Sequence, residues 1–181
     1  MRSRCAAPSA RLVLAAVAAM AVTATATATA AATTDSRSTT DSRSTAVRAC
    51  VTKDLTYKVS LKTQAGGYFL VTAKAKSGVT CYLEGVFPSA SFGSSADTEV
   101  SPAEHAVSDR VTLSGSTAAY AGINPKTTNN DHGREFDFLH LAVAGDESNA
   151  VTLVLPETAT VDRPTATNWH ADPDDAVPFS G

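Results

Sequence analysis

The sequence predicts an all-β fold: an immunoglobulin-like antiparallel β-sandwich with one disulfide, a small barrel being the alternative. Three observations predict it. Apolar residues recur with period two from Cys50 onward, Gly- and Ser-containing turns separate the short apolar runs, and two cysteines fall within that stretch. Nowhere does a capped 3.6-residue pattern run for more than about two turns.

Ahead of this domain lies a segment of export type. Arg2, Arg4 and Arg11 form a positive start, and residues 12–22 (LVLAAVAAMAV) are an apolar run too short to span a bilayer as a stable helix. Alternating Ala and Thr follow, with Ala28-Thr29-Ala30 among several small-x-small sites of the kind a signal peptidase accepts. Residues 1–32 therefore read as a cleavable signal peptide rather than a retained anchor, and the mature chain is expected to have no transmembrane segment. Cys5 precedes the apolar run and Cys50 lies far beyond it, so neither stands where lipid attachment needs a cysteine. The expected location is secreted or extracellular, including the cell wall.

Residues 33–47 hold TTDSRS twice in tandem, a polar, charge-balanced repeat with nothing to bury and hence a disordered linker. The domain proper, 48–170, then opens with Leu55, Tyr57, Val59 and Leu61 alternating with Lys58, Ser60 and Lys62, a half-buried strand. Ala65-Gly66-Gly67 turns the chain into residues 68–75 (YFLVTAKA), and Ser77-Gly78 turns it again into a third strand over 79–87. Residues 91–99 are Ser/Gly-rich and read as a loop or irregular edge. Val111 and Leu113 mark a short strand, Gly115 a turn, and 118–123 (AAYAGI) another strand. After the polar loop 124–134, residues 136–143 and 151–155 are strands joined by the turn AGDESN, and 165–170 (TATNWH) is a last one. Residues 171–181 form a polar tail.

Once the signal leaves, Cys50 and Cys81 are the only cysteines, and in an oxidising compartment two cysteines pair. Closing a loop of about thirty residues contributes about 3–4 kcal/mol on the chain-entropy account. A redox or metal role is disfavoured, because there is no Cys-x-x-Cys and no nearby His to complete a zinc set. Losing three arginines and no acids takes the formal net charge from −3 to about −6, a mildly acidic surface. Nucleic acid is therefore not an expected partner.

An initial Cys50 just after a low-complexity tether, the Cys-x-x-x-Gly-x-x-Pro of Cys81, Gly85 and Pro88, and the strand-turn-strand VTLSGSTAAYAGI over 111–123 form a pattern. It resembles the secreted actinobacterial domain-of-unknown-function family 4232, over residues 50–169. Here Val86 and Phe87 separate Gly85 from Pro88, one residue more than the family spacing. The resemblance implies an immunoglobulin-like sandwich, in some members on a lipoprotein tether. It implies no known activity and supplies no catalytic residues.

The chemistries can be weighed by their parts. A serine hydrolase elbow needs Gly-x-Ser-x-Gly; the nearest text, FGSSAD with Ser94 and Ser95, lacks the second Gly. His105, His132, His140 and His170 are well separated and form no His-x-His or His-Glu-x-x-His. His140 shares a strand face with Phe136 and Phe138, where a lone His reads as a hydrogen-bonded packing residue before a ligand. Asn129, Asn130, Asp131, His132 and Gly133 offer oxygen ligands, but Glu135 follows too closely for a calcium loop, and a solvated turn is the preferred reading. The acids Asp97, Glu99, Glu104, Asp109, Glu147, Glu157 and Asp162 fall mostly between strands, and none forms an evident glycosidase pair.

No catalytic, cofactor or metal residue is assigned. The candidate binding loop comprises Asn129, Asn130, Asp131 and His132, together with Trp169, the sole tryptophan. Trp169 has a second reading, packing at the edge of the core, which is preferred. The expected function is a non-catalytic module of the cell exterior that binds a protein or glycan or forms part of the envelope. The alternative is a secreted hydrolase whose active site follows no recognised motif.

Overall fold

The structure, a computed structural model, describes residues 46–178. The expected signal peptide, the tandem repeat and the final three residues lie outside the described residues. Among the described residues eleven strands follow in order: β1 (Arg48–Ala49), β2 (Leu55–Lys62), β3 (Tyr68–Ala75), β4 (Cys81–Gly85), β5 (Ser89–Ser91), β6 (Ser101–Pro102), β7 (Ser108–Leu113), β8 (Ala118–Asn124), β9 (Arg134–Ala142), β10 (Val151–Val161) and β11 (Thr165–Ala166). Among the described residues the only helices are single 3-10 turns, and none is long and apolar enough to cross a membrane.

Among the described residues three open sheets form, with strand orders β2-β3-β8-β11-β6, β1-β4-β7 and β10-β9-β5, and no barrel closes. Period-two alternation decides the layering. Phe69, Val71 and Ala73 of β3 and Ala119, Ala121 and Ile123 of β8 turn to one side of the five-stranded sheet. There they join one core with Leu83 of β4, Leu113 of β7 and Leu139 and Leu141 of β9. The result is an all-β sandwich, as the sequence predicts, and not the barrel alternative.

The disulfide is present. Cys50 follows β1 and Cys81 begins β4, with Cα atoms 5.0 Å apart and both side chains buried. β1 lies parallel to β4, Arg48 opposite Cys81, and the Cys50 N–H donates to the Tyr82 carbonyl at 2.8 Å. Arg48 also donates two bonds to Asp54, at 2.6 and 2.9 Å, and this guanidinium holds the Asp54 carboxyl below the usual carboxylate range.

Elsewhere the boundaries moved, for local reasons. The third strand ends at Gly85 rather than residue 87, because the β4/β7 register shifts between Leu83 and Gly85. Here the backbones approach so closely that a Cβ on Gly85 would meet the Ser108 carbonyl oxygen at 1.9 Å. The Ser/Gly-rich stretch 91–99 is part of a hairpin rather than a plain loop: Phe92 donates to the Thr98 carbonyl, Val100 to that of Ala90, and the Phe92 ring is fully buried. β10 runs on to Val161 because a register shift between Val154 and Ala159 takes Pro156, which has no N–H to donate, out of the ladder.

The tail, read as merely polar, packs. Ala176 is fully buried against Tyr68 and Leu70 on the outer face of the five-stranded sheet, with Tyr120 and Val177 beside them. Gly122 admits it: an added Cβ would meet the Ala176 carbonyl oxygen at 2.0 Å and Pro178 at 2.7 Å. Gly122→Ala is therefore expected to lift the tail at a cost of about 1–3 kcal/mol. Limited proteolysis followed by mass spectrometry should show residues 171–178 removed faster than in the wild type; equal rates would mean the tail is not held there.

Candidate functional site

The outer face of the β10-β9-β5 sheet departs most from what a sandwich surface should carry. In β9, Leu139 and Leu141 face the core, so Phe138 and His140 occupy the opposite face. Phe136, paired with the buried Ala159 beyond the register shift, instead packs against the core beside Phe92, ring centroids 6.3 Å apart. Phe138 stands opposite Val154, and they are 40% and 80% exposed. Solvated sheet faces are ordinarily polar, so a cross-strand apolar pair left in water is informative. His140 stands opposite Thr152, its Nδ1 hydrogen-bonded to Thr152 Oγ1 at 3.0 Å and its ring edge-on to Phe138 at 5.3 Å. It is the hydrogen-bonded packing residue of the sequence reading, but the face it shares with Phe138 is the outward one, and Phe136 does not share it.

Two depressions meet at His140. The larger, about 540 Å³, has Ala90, Val100, Ala142, Ala144 and Ala150 among its walls and Glu99 and Glu147 as its carboxylates. The turn after β9 builds one side. There the Gly145 N–H donates to Glu147 Oε1 at 2.8 Å and, as the largest of several effects, holds that carboxyl below its ordinary range. The smaller, about 320 Å³, lies between Gly93, Ser94 and Ser95 of the hairpin tip and Phe136 and Phe138 of β9. Arg134 reaches across to both oxygens of Asp97 at 3.0 Å and ties the tip to the strand.

A second polar cluster surrounds residues 167–170. His170 Nε2 lies 2.9 Å from Glu104 Oε1, Ser108 Oγ donates to Glu104 Oε2 at 3.3 Å, and the Asn168 N–H donates to Glu104 Oε1 at 3.2 Å. Asn168 Nδ2 donates to the Ala106 carbonyl at 2.6 Å. Serine, histidine and acid thus meet, but in the wrong order. Nucleophile activation needs the imidazole between hydroxyl and carboxylate. Here the carboxylate stands between the other two, and the cluster braces the chain between β6 and β7.

The residues of the candidate binding loop separate. Asn129, Asn130, Asp131 and His132 are exposed between β8 and β9. Lys126 Nζ donates to the carbonyls of Asn130 at 2.6 Å and His132 at 2.5 Å, and the His132 N–H donates to Asn130 Oδ1. Those carbonyls already serve an ammonium, which opposes a calcium reading of the loop. Thr128 Oγ1 donates to Asp162 and holds that carboxyl below its usual range. Trp169 is not brought to this loop. It is 1% exposed in the core, its backbone N–H donating to the Val86 carbonyl at 3.2 Å, so the packing reading is the one observed. Among the described residues, no group of three or more His, Cys, Asp or Glu is placed to hold a metal ion.

Sequence reasoning missed Val154 and the groove beside it. The signal available was the pair of phenylalanines alternating with Asp137 and Leu139, which leaves the direction of the core undecided until the partner strand is known. A family model described as "Domain of unknown function (DUF4232)" matches residues 50–170. No curated protein and no solved structure matches the chain.

Proposed function

The chain belongs to the DUF4232 family, and we propose that it serves as an exported, non-catalytic binding module of immunoglobulin-like type. The ligand would lie on the outer face of the β10-β9-β5 sheet. One observation carries this reading: the exposed Phe138–Val154 pair beside a groove of about 540 Å³, a size within the range of ligand sites. Such a pair gains free energy when a partner removes it from water. Export is supported by the arginine-led apolar segment at the start of the chain and by two cysteines joined as a disulfide. The partner is a protein or glycan of the cell exterior.

Immobilised protein and the double variant Phe138→Ser/Val154→Thr, presented with fractionated envelope protein and with a glycan array, test the assignment. The wild type is expected to retain a partner that the variant holds about tenfold more weakly or not at all. Equal retention by both rejects this face. The non-catalytic half fails if a panel of esterase, glycosidase and peptidase substrates shows turnover that a Ser, His or Asp substitution abolishes.

A further inference from the structure

We infer that the larger groove receives a lysine or arginine side chain from an extended segment of a partner protein. The inference rests on the reading of this sheet face as the binding surface and names what the surface recognises. The groove walls are apolar and mostly short: Val100, Ala142, Ala144 and Ala150 line a channel to which Phe87 adds one large apolar side chain. Its charged groups are Glu99 and Glu147, with His140 at the junction to the smaller depression, and no lysine or arginine lines it. An occupant that fits both features has an aliphatic stem ending in a cation, because Lys and Arg lay their methylenes along apolar surface while the charged head seeks oxygen.

Ser89 and Ser91 also line the groove and offer hydroxyl acceptors to a many-donor head group. The Glu147 carboxylate is oriented by the Gly145 N–H, so it need not be ordered anew on binding. The occupant is a polypeptide and not an isolated amine because the apolar pair Phe138–Val154 continues the same face beyond His140. A residue neighbouring the basic one would cover it. An amino sugar fits less well, since its ammonium sits on a hydroxylated ring without an aliphatic stem to fill the alanine-lined channel.

The test uses the purified protein and dye-labelled hexapeptides read by fluorescence anisotropy. Each peptide carries one central arginine, lysine, citrulline or glutamate among apolar residues. The arginine and lysine peptides are expected to bind at least about tenfold more tightly than the citrulline peptide, with the difference shrinking as salt rises. Glu99→Gln and Glu147→Gln, which keep an oxygen acceptor, should each weaken the arginine peptide several-fold and leave the citrulline peptide unchanged.

Equal binding of arginine and citrulline peptides overturns the inference, as does no binding at about millimolar peptide or displacement by glucosamine oligomers in preference to the arginine peptide. If Phe138→Ser/Val154→Thr still abolishes partner retention in any of these cases, the binding face stands and only the basic-residue assignment falls.

Discussion

Trp169→Ala is expected to destabilise the domain by about 3–5 kcal/mol, the cost of removing a large aromatic side chain from a core that cannot fully collapse around the space. The ring is 1% exposed and belongs to the core that draws on all three sheets. Its neighbours along the chain are also tied in. Thr167 exchanges bonds with Gly122, Asn168 ties the segment to Glu104 and Ala106, and His170 pairs with Tyr120 in both directions. Loss of the ring should therefore loosen the bridge between β8 and the chain ahead of β7. Urea unfolding followed by circular dichroism measures the effect, since the variant has no tryptophan left to fluoresce. Trp169→Phe should recover part of the loss. A change within about 0.5 kcal/mol, typical of surface substitutions, would instead return Trp169 to the surface-contact reading.

Replacing both Cys50 and Cys81 with alanine is expected to cost about 3–4 kcal/mol, close to half the stability of a marginal domain. The bridge spans 31 residues of sequence. On the chain-entropy account its stabilisation arises mainly by restricting the unfolded chain, so the native sheets should change little. Urea titration of the double variant should show a lower midpoint and a steeper slope, because the unlinked unfolded chain exposes more surface. Both cysteine residues are buried, at 4% and 0% exposure, so the wild type under mild reductant should lose its bridge only as it opens. Ready alkylation of both thiols in the untreated native protein would contradict the bridge outright.

The strands legible in the sequence were those whose alternation was strict and whose turns held glycine. β3 fell on its expected residues, because Tyr68–Ala75 is bounded by Gly67 and Gly78, both at positive φ. What escaped was decided by partners distant in the chain. β1 and β6 are two residues each, and both exist only because β4 and β11 offer parallel edges. Ala176 reads as one of two alanines in an acidic tail, and only the bare Cα of Gly122, across the sheet face, gives it a seat. For the candidate site, the loop residues 129–132 were legible as polar and exposed, and they are. The groove was not, since Glu99, His140 and Glu147 come from three separate stretches that β9 and its neighbours bring together.

The sulfur bridge also has a mechanical meaning. A chain pulled from its N-terminal side would load β1 first, and two residues of backbone pairing would peel away under little force. The covalent link at Cys50 carries that load past β1 directly into β4, which β7 grips over several residue pairs. A domain pulled through the chain ahead of Cys50 is thus anchored at an interior strand, and β1 can give way without unravelling the fold.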